Sequence, residues 1–419
     1  MALIVQKFGG TSVGTSERIK NVAARALATQ AAGNDVVVIV SAMSGETNRL
    51  LKLASDLTSL PDSREVDALA ATGEQVTAAL TAIAIQAIGG KARSFLGHQL
   101  KVLTDNAFTK ARIKAIDATR VMETLGSGTI AVVAGFQGVD EDGNITTLGR
   151  GGSDTSAVAI AAAIGASACE IYTDVDGVYT TDPNICKTAR KIERISYEEM
   201  LELASLGAKV LQIRSVEVAM KYGVPVHVRS SFSDAPGTWV VGEESSLESI
   251  MVTGVAYDKG EVRVMLVGVD DKPGVVAHIF STLAEENISV DMIIQNAPSD
   301  APSSRVSSGD PESKTDVTFT ATKADLPKVK QVIGNIASQV GALGIRYDED
   351  IAKVSIVGLG MRSHAGVAAR MFKILSDEGI NIQAISTSEI KISCLVATKY
   401  TELAVRALHD GFGLGNSKP

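Results

Sequence analysis

Cysteine is scarce in this chain: only Cys169, Cys186 and Cys394 occur in 419 residues, and none forms a CxxC pair. That spacing gives neither a disulfide framework nor a zinc site, and it fits a reducing cytoplasm. Histidine is almost as rare, and His98, His227, His278, His364 and His409 are too scattered for one to stand out as a general base. Basic blocks are missing as well. Lysine and arginine number 40 against 48 acidic residues, a net charge of −8, so no nucleic acid partner is expected. No hydrophobic run is long enough to span a bilayer. The stretch from Val76 to Ile88 is apolar but short, and Thr81 and Gln86 interrupt it. It reads as a buried helix, with no membrane partner. The N-terminus has no basic leader or cleavage site, so a cytoplasmic location is expected.

What is present is ordinary for a large globular core: 45% hydrophobic and 21% charged residues, in a length that suits two to four domains. The pattern changes near residue 235. Before it, strand-like runs (Leu3 to Phe8, Val36 to Ser41, Thr129 to Gly135, Cys169 to Thr173, Val226 to Arg229) alternate with helical patterns, as an α/β layer requires. Those helical patterns cover Ser16 to Ala32, Ser63 to Ile88, Ser153 to Ile164 and Tyr197 to Tyr222, the last broken at Gly207. After a turn-rich stretch, "VMLVGVDDKPGVVAHIFSTLAEENISVDMI" is repeated as "VSIVGLGMRSHAGVAARMFKILSDEGINIQAI". Each copy reads strand, turn, helix, strand, with a further strand beyond, so one small βαβ-type domain is duplicated. The expected boundaries are 1–235 for the first domain, 236–260 for a linker, and 261–345 and 346–419 for the repeats. A Ser/Pro-rich loop is expected at 299–315.

The chemistry lies in the first half. "VQKFGGTSVGTSERIK" is a strand, a glycine turn and a helix, a layout that attracts phosphate through free amides. It is neither GxxxxGK[ST] nor GxGxxG, because Lys7 precedes Gly9 and Gly10. "TTLGRGGSDTSA" is a second glycine turn, with Arg150 before Gly151 and Gly152, and with Ser153 and Asp154 placed at a helix N-cap. A guanidinium there can fork onto a carboxylate or phosphate, whereas an aspartate at that point is also an ordinary cap. "IYTDVDGVYTTDPN" puts Thr173 and Asp174 directly after a strand, where open α/β sheets bind ligands. "LGAKVLQIRS" puts Lys209 at a helix start, which suits a cation only if an anion joins it. The set outlines phosphoryl transfer: Lys7 and Lys209 neutralise charge with Mg²⁺, Asp154 orients the lysines, and an ionised carboxylate acceptor needs no base.

These motifs, "KFGGTS", "SAMSGETNRLL", "TLGRGGSDTSA", "IYTDVDGVYTTDP" and "GAKVL", resemble those of the aspartokinases in the amino acid kinase family. The repeat resembles their tandem ACT domains. Acetylglutamate and glutamate kinases share the fold but lack "KFGGTS" and the paired repeats. The resemblance implies a three-layer α/β/α amino acid kinase domain followed by two ferredoxin-like βαββαβ ACT domains. It implies a monofunctional enzyme that phosphorylates L-aspartate with ATP and Mg²⁺. By the resemblance, Lys7, Phe8, Gly9, Gly10, Thr173, Asp174, Tyr179, Asn184, Lys209 and Val210 meet ATP. Ser41, Thr47, Glu74, Arg150, Gly151, Gly152 and Ser153 meet aspartate, and Lys7, Asp154 and Lys209 serve the chemistry. Lysine and threonine are the implied effectors. Their candidate contacts are Asp271, Pro273, Gly274, Val275, Asp291, Met292 and Gln295 in one repeat, and Asn381, Ile382 and Gln383 in the other. A homo-oligomer through the ACT domains is expected. Met251 offers an internal start for a regulatory chain and hence an α₂β₂ assembly.

Overall fold

A computed structural model describes residues 2–207, 210–243, 251–296, 314–359, 361 and 366–415. Lys209 and residues 299–313 of the Ser/Pro-rich stretch therefore lie outside the described residues. Two compact units divide the chain: Met1–Thr180 with Ala189–Ser249, and Thr181–Thr188 with Ile250–Pro419.

The first unit begins β1 (Leu3–Phe8), α1 (Ser16–Ala31), β2 (Asp35–Val40), α2 (Glu46–Leu57), α3 (Ser63–Ala70), α4 (Thr72–Ala87) and β3 (Ala92–Phe95). It continues through β4 (Leu103–Thr104), β5 (Ile113–Ala115), α5 (Thr119–Gly126), β6 (Ile130–Ala134), β7 (Gln137–Val139), β8 (Ile145–Thr147) and α6 (Gly152–Ile164). It closes with β9 (Ala168–Thr173), β10 (Arg194–Ser196), α7 (Tyr197–Ser205), α8 (Ile213–Tyr222), β11 (Val226–Ser230) and β12 (Thr238–Val241). Eight of these strands form one sheet in the order β10-β12-β11-β9-β1-β2-β6-β3, parallel except between β11 and β12. A small sheet, β5-β4-β7-β8, stands apart from it.

Why this sheet is buried on both faces is visible in its residues. Val36, Val38 and Val40 point to one side and pack with Ile130, Val132, Phe8 and the α1 and α4 residues Ile19, Val22, Ala78 and Ile85. The alternate residues Val37, Ile39, Ala131 and Val133 are equally buried. A run apolar at every position belongs to a central parallel strand with helices on both sides. α6 packs over β1 and β9 to supply the other layer. The apolar stretch around Val76 accordingly serves this core: Ala78, Ala82 and Ile85 of α4 are buried in it. The helical pattern from Ser63 to Ile88 divides at Ala71, and Asp62 caps α3 by accepting from the N–H groups of Arg64 and Glu65.

The second unit contains β13 (Met251–Asp258), β14 (Glu261–Asp270), α9 (Val275–Glu285), β15 (Val290–Asn296), β16 (Lys314–Thr322), α10 (Leu326–Ile336) and β17 (Gly344–Asp348). Then come β18 (Ile351–Leu359), α11 (Val367–Asp377), β19 (Ala384–Thr387), β20 (Lys391–Ala397) and α12 (Thr401–Gly411). Two four-stranded antiparallel sheets result, β15-β16-β14-β17 and β13-β18-β20-β19. Both have the ferredoxin-like strand order, each with its own apolar core.

One expectation is corrected here. The stretch 236–260 is not a plain linker. It supplies β12 to the eight-stranded sheet of the first unit, and β13 to the edge of the second repeat's sheet through pairing with β18. The second repeat thus takes its fourth strand from ahead of the first.

Candidate functional site

β1 carries Lys7 into the layer between the sheet and α6. Its Nζ lies 2.5 Å from Asp154 Oδ1, with both side chains nearly buried at 10% and 12% exposed. Gly9 follows at the strand's end, where a Cβ would sit 3.5 Å from that same Nζ. A side chain beyond Cβ would crowd the lysine head, so glycine keeps the space in front of it open. The Gly9 N–H is not available to an anion, because it donates to Tyr172 O at 3.2 Å. Gly10 is packed as closely: a Cβ would lie 3.0 Å from Ala42 O. Phe8 points to the opposite face and stacks on Tyr172 with ring centroids 4.7 Å apart, which makes it a core residue of β1. Ser12 is buried, and its hydroxyl meets that of Ser231, just after β11, at 2.5 Å.

The second glycine turn differs from its expected capping. Gly151, not Ser153 or Asp154, is the N-cap of α6, because the chain turns there at φ +70°. Asp154 therefore stands in the first helical turn, its N–H donating to Gly151 O at 3.1 Å, and its carboxylate is free to hold Lys7. An acidic group in that turn also suits the helix dipole. A Cβ on Gly151 would overlap Gln212 Cγ at 1.7 Å, and one on Gly152 would press on Leu148 and Phe136 at 2.9 Å. Ser153 is buried beside Gly135, and Arg150 is exposed at the tip of the turn.

Two residues that the motifs did not reveal brace this turn. Arg214 donates from Nη1 to Leu148 O (2.6 Å) and from Nη2 to Ala111 O (2.9 Å). Asp67, almost wholly buried, accepts from the N–H groups of Thr109 (2.9 Å) and Thr147 (2.8 Å) and from the Thr147 hydroxyl (2.6 Å). Burial pushes the Asp67 carboxyl above its ordinary range, while those three bonds oppose the shift.

Glu74, in the first turn of α4, is 3% exposed; its Oε1 accepts from the Ala42 N–H at 2.9 Å. Its Oε2 is buried and has no hydrogen-bond partner among the described residues. Burial pushes this carboxyl up to about 7. A buried carboxylate with one oxygen unsatisfied is costly alone and well suited to a cation. Ser41 follows β2, its N–H donating to Phe8 O at 3.1 Å, and Thr47 is half-buried in the first turn of α2.

Beyond β9, Thr173 donates to Asp174 Oδ1 (3.0 Å), and Tyr179 donates to Asp176 Oδ1 (2.8 Å). Asn184 belongs to the second unit, exposed, with its N–H on Asp182 Oδ1 at 2.8 Å. Val210 is half-buried just before α8.

In the second unit, Pro273 and Gly274 open α9, with Gly274 at φ +97° as its N-cap, Val275 as its first residue and Asp271 just ahead. Asp291, a candidate effector contact, is already engaged by a cation within the unit. Lys353 of β18 pairs with both Asp291 and Glu261, across the two repeats. Burial raises the Glu261 carboxyl. Asp291 is lowered, since its bond and attraction to Lys353 outweigh its own desolvation. Beside this triad Met292 packs with Ile351 and Leu395, so it too is a core residue. Gln295 and Asn381 are exposed, Ile382 packs against the second core, and the Gln383 N–H donates to Leu395 O at 2.8 Å.

A mostly parallel sheet, with a lysine and two glycine turns gathered at its strand ends, defines an α/β protein of the kind that binds ligands at the carboxyl ends of its strands. The profile of the amino acid kinase family matches residues 2–230, and ACT domain profiles match residues 263–337 and 354–412. An aspartate kinase of Stutzerimonas stutzeri is 54% identical over 415 residues, covering 99% of this chain and 98% of its own. An aspartokinase of Pseudomonas aeruginosa is 53% identical over 416 residues, with the same coverage. Among solved structures, aspartokinase III of E. coli in complex with aspartate and ADP superposes with a TM-score of 0.78 at 26% identity, covering 98% of this chain and 99% of that one. The chain belongs to the amino acid kinase family and, within it, to the aspartokinases, which are kinases.

Proposed function

We propose that this chain transfers the γ-phosphoryl group of ATP to the β-carboxylate of L-aspartate, giving 4-phospho-L-aspartate and ADP, as the first step of lysine, threonine and methionine biosynthesis. The observation that carries the reading is the Lys7–Asp154 pair, which holds an ammonium group at the open end of β1 beside a glycine. A β-carboxylate oxygen attacks the γ-phosphorus in line, and the bond to the β,γ-bridging oxygen breaks toward ADP. Lys7 meets the charge that develops on the moving group, and Asp154 keeps the lysine aimed. By the resemblance of its motif, Lys209 is assigned the same task. Glu74 takes the substrate's ammonium on its unsatisfied oxygen, and Arg150 takes the α-carboxylate, so the charges are complementary. Mg²⁺ arriving with the nucleotide supplies further neutralisation. Of the carboxylates here, exposed Asp174 fits it, because Asp154 is held by Lys7.

The supporting likeness is at full length to proteins named for aspartate, one of them solved with aspartate and ADP and again, in another state, with lysine and aspartate. Lysine, threonine or both acting through the ACT repeats is part of the proposal. So is a homo-oligomer through residues 250–419. β13 begins at Met251, so a chain started there would still carry every strand of both ACT sheets, which favours the α₂β₂ alternative. Mass spectrometry of the natively expressed protein, showing one chain or two, decides between them. ADP release measured with aspartate, glutamate and acetylglutamate tests the reaction. Aspartate should be preferred by orders of magnitude, and equal turnover of glutamate would overturn the assignment.

A further inference from the structure

Cys186 and His409 are 223 residues apart in sequence, and the fold of the second unit brings them together. Cys186 lies in the segment Thr181–Thr188, and His409 in the last turn of α12. Both are buried, at 3% and 0% exposed. Cys186 Sγ is 3.4 Å from His409 Nδ1, and Asp410 Oδ1 is 3.7 Å from the same nitrogen. Thr188 Oγ1 closes a fourth corner, 3.1 Å from Sγ and 3.5 Å from Nδ1. The thiol, imidazole and carboxylate ligand atoms all lie within 4.8 Å of one another. The chain after α12 folds back over Thr188: a Cβ on Gly415 would come within 3.0 Å of Thr188 Cβ.

We propose that Cys186, His409 and Asp410 bind one zinc ion, with the Thr188 hydroxyl or a water completing the shell. Zinc bonds of about 2.3 Å to sulfur and about 2.0–2.1 Å to nitrogen and oxygen, at tetrahedral angles, put S···N near 3.5 Å and N···O near 3.4 Å. The S···N and N···O distances, 3.4 and 3.7 Å, lie within a few tenths of an ångström of that geometry. The thiol and carboxylate, within 4.8 Å of one another, would close the third edge as the exposed Asp410 side chain turns inward. A thiolate with an imidazole selects a borderline-soft ion, where Mg²⁺ or Ca²⁺ would take oxygens. Charge balances as well. Binding releases the thiol proton to solvent, and one thiolate plus the carboxylate neutralise the dication while the imidazole stays neutral. Exposed Asp410 is the entry side, and the ion would tie the Thr181–Thr188 segment to α12. No spacing along the chain could announce this site, because its two buried ligands lie 223 residues apart in sequence.

The full-length protein, stripped with a chelator, is titrated with Co²⁺ and followed by visible and near-ultraviolet absorption. One ion per chain is expected, with a thiolate-to-cobalt charge-transfer band that Zn²⁺ displaces. Cys186→Ser should abolish the band, whereas Cys169→Ser and Cys394→Ser should leave it. Asp410→Asn, an exposed change that does not threaten folding, should weaken zinc binding by about tenfold or more, by analogy with other changes around bound metals. Zn²⁺ should also raise the Tm of the wild type and not that of Cys186→Ser. The absence of a thiolate band, a band that survives in Cys186→Ser, or zinc affinity unchanged in Asp410→Asn would overturn the proposal.

Discussion

Lys7 Nζ and Asp154 Oδ1 stand 2.5 Å apart, one from the end of the central strand and one from the first turn of α6. The pair is nearly buried, so each partner depends on the other: removing one leaves an uncompensated charge. Lys7→Ala should lower kcat by about 10²-fold or more, with the KM for aspartate changed far less, since the charge it meets grows toward the transition state. Asp154→Asn keeps the lysine but loosens its aim, and should lower kcat by a smaller factor. Steady-state kinetics on the folded variants checks both, and a near-normal kcat in Lys7→Ala would remove this lysine from the reaction.

Glu74 gives the protein a pH dependence with a definite sign. Its carboxyl is raised from 4.5 to about 7 by burial, with the Ala42 N–H opposing. Aspartate's ammonium needs the ionised form, so binding displaces a proton at acid pH. The KM for aspartate should rise as pH falls below about 7, by up to tenfold per unit. For stability the sign is reversed. The folded state holds this proton more tightly than the unfolded chain does, so the contribution is full below about 4.5 and lost as pH rises through about 7. Glu74→Gln should therefore be more stable than the wild type near pH 8, by on the order of 3 kcal/mol at 1.36 kcal/mol per unit. It should also bind aspartate poorly at every pH. Urea titrations at two pH values and KM profiles test the two halves separately.

How far these groups could be read in advance depended on where their partners lie. Lys7, Arg150 and Asp154 each sit in a glycine-rich motif whose local chemistry already suggests phosphate or carboxylate. The alternation of apolar strands and helices likewise foretold an α/β layer, and its three-layer form came from the family resemblance. Arg214 and Asp67 were invisible because what they hold are backbone groups brought in by other segments, Leu148 and Ala111 for the first, Thr109 and Thr147 for the second. The place of β13 was illegible for a related reason: an edge strand carries no label naming the sheet it joins. Gly151 displaced the expected aspartate cap through a backbone angle, φ +70°, that no residue pattern states.

Arg150 and Arg214 serve the same turn differently, and variants separate them. Arg150→Lys keeps a charge but loses the planar fork, so the KM for aspartate should rise at least about tenfold while the KM for ATP hardly moves. Arg214→Met frees two backbone carbonyls in a half-buried setting, and should cost about 1–3 kcal/mol for each. It should also misplace the whole turn, so that kcat falls along with the KM effect. Equal damage to both Michaelis constants in Arg150→Lys would place that residue on the nucleotide instead.

The triad of Glu261, Asp291 and Lys353 turns the proposed feedback into a test with two arms. Burial alone would lower the Lys353 ammonium, but its two carboxylate partners more than reverse this and raise it, so it stays charged. Asp291 is still half-exposed, and two carboxylates facing one ammonium leave room for a second cation. An amino acid effector that docks its own ammonium on Asp291 would share that carboxylate with Lys353. If so, Asp291→Ala should raise the effector concentration for half-inhibition at least about tenfold with kcat retained, a coupling loss within the usual 1–3 kcal/mol. Lys353→Met removes the competitor while keeping the apolar stem, so inhibition should persist or strengthen even though stability falls through the unpaired Glu261. Were Asp291 merely structural, both variants would weaken inhibition together. Titrating each with lysine, threonine and the pair, alongside thermal unfolding, distinguishes the two outcomes.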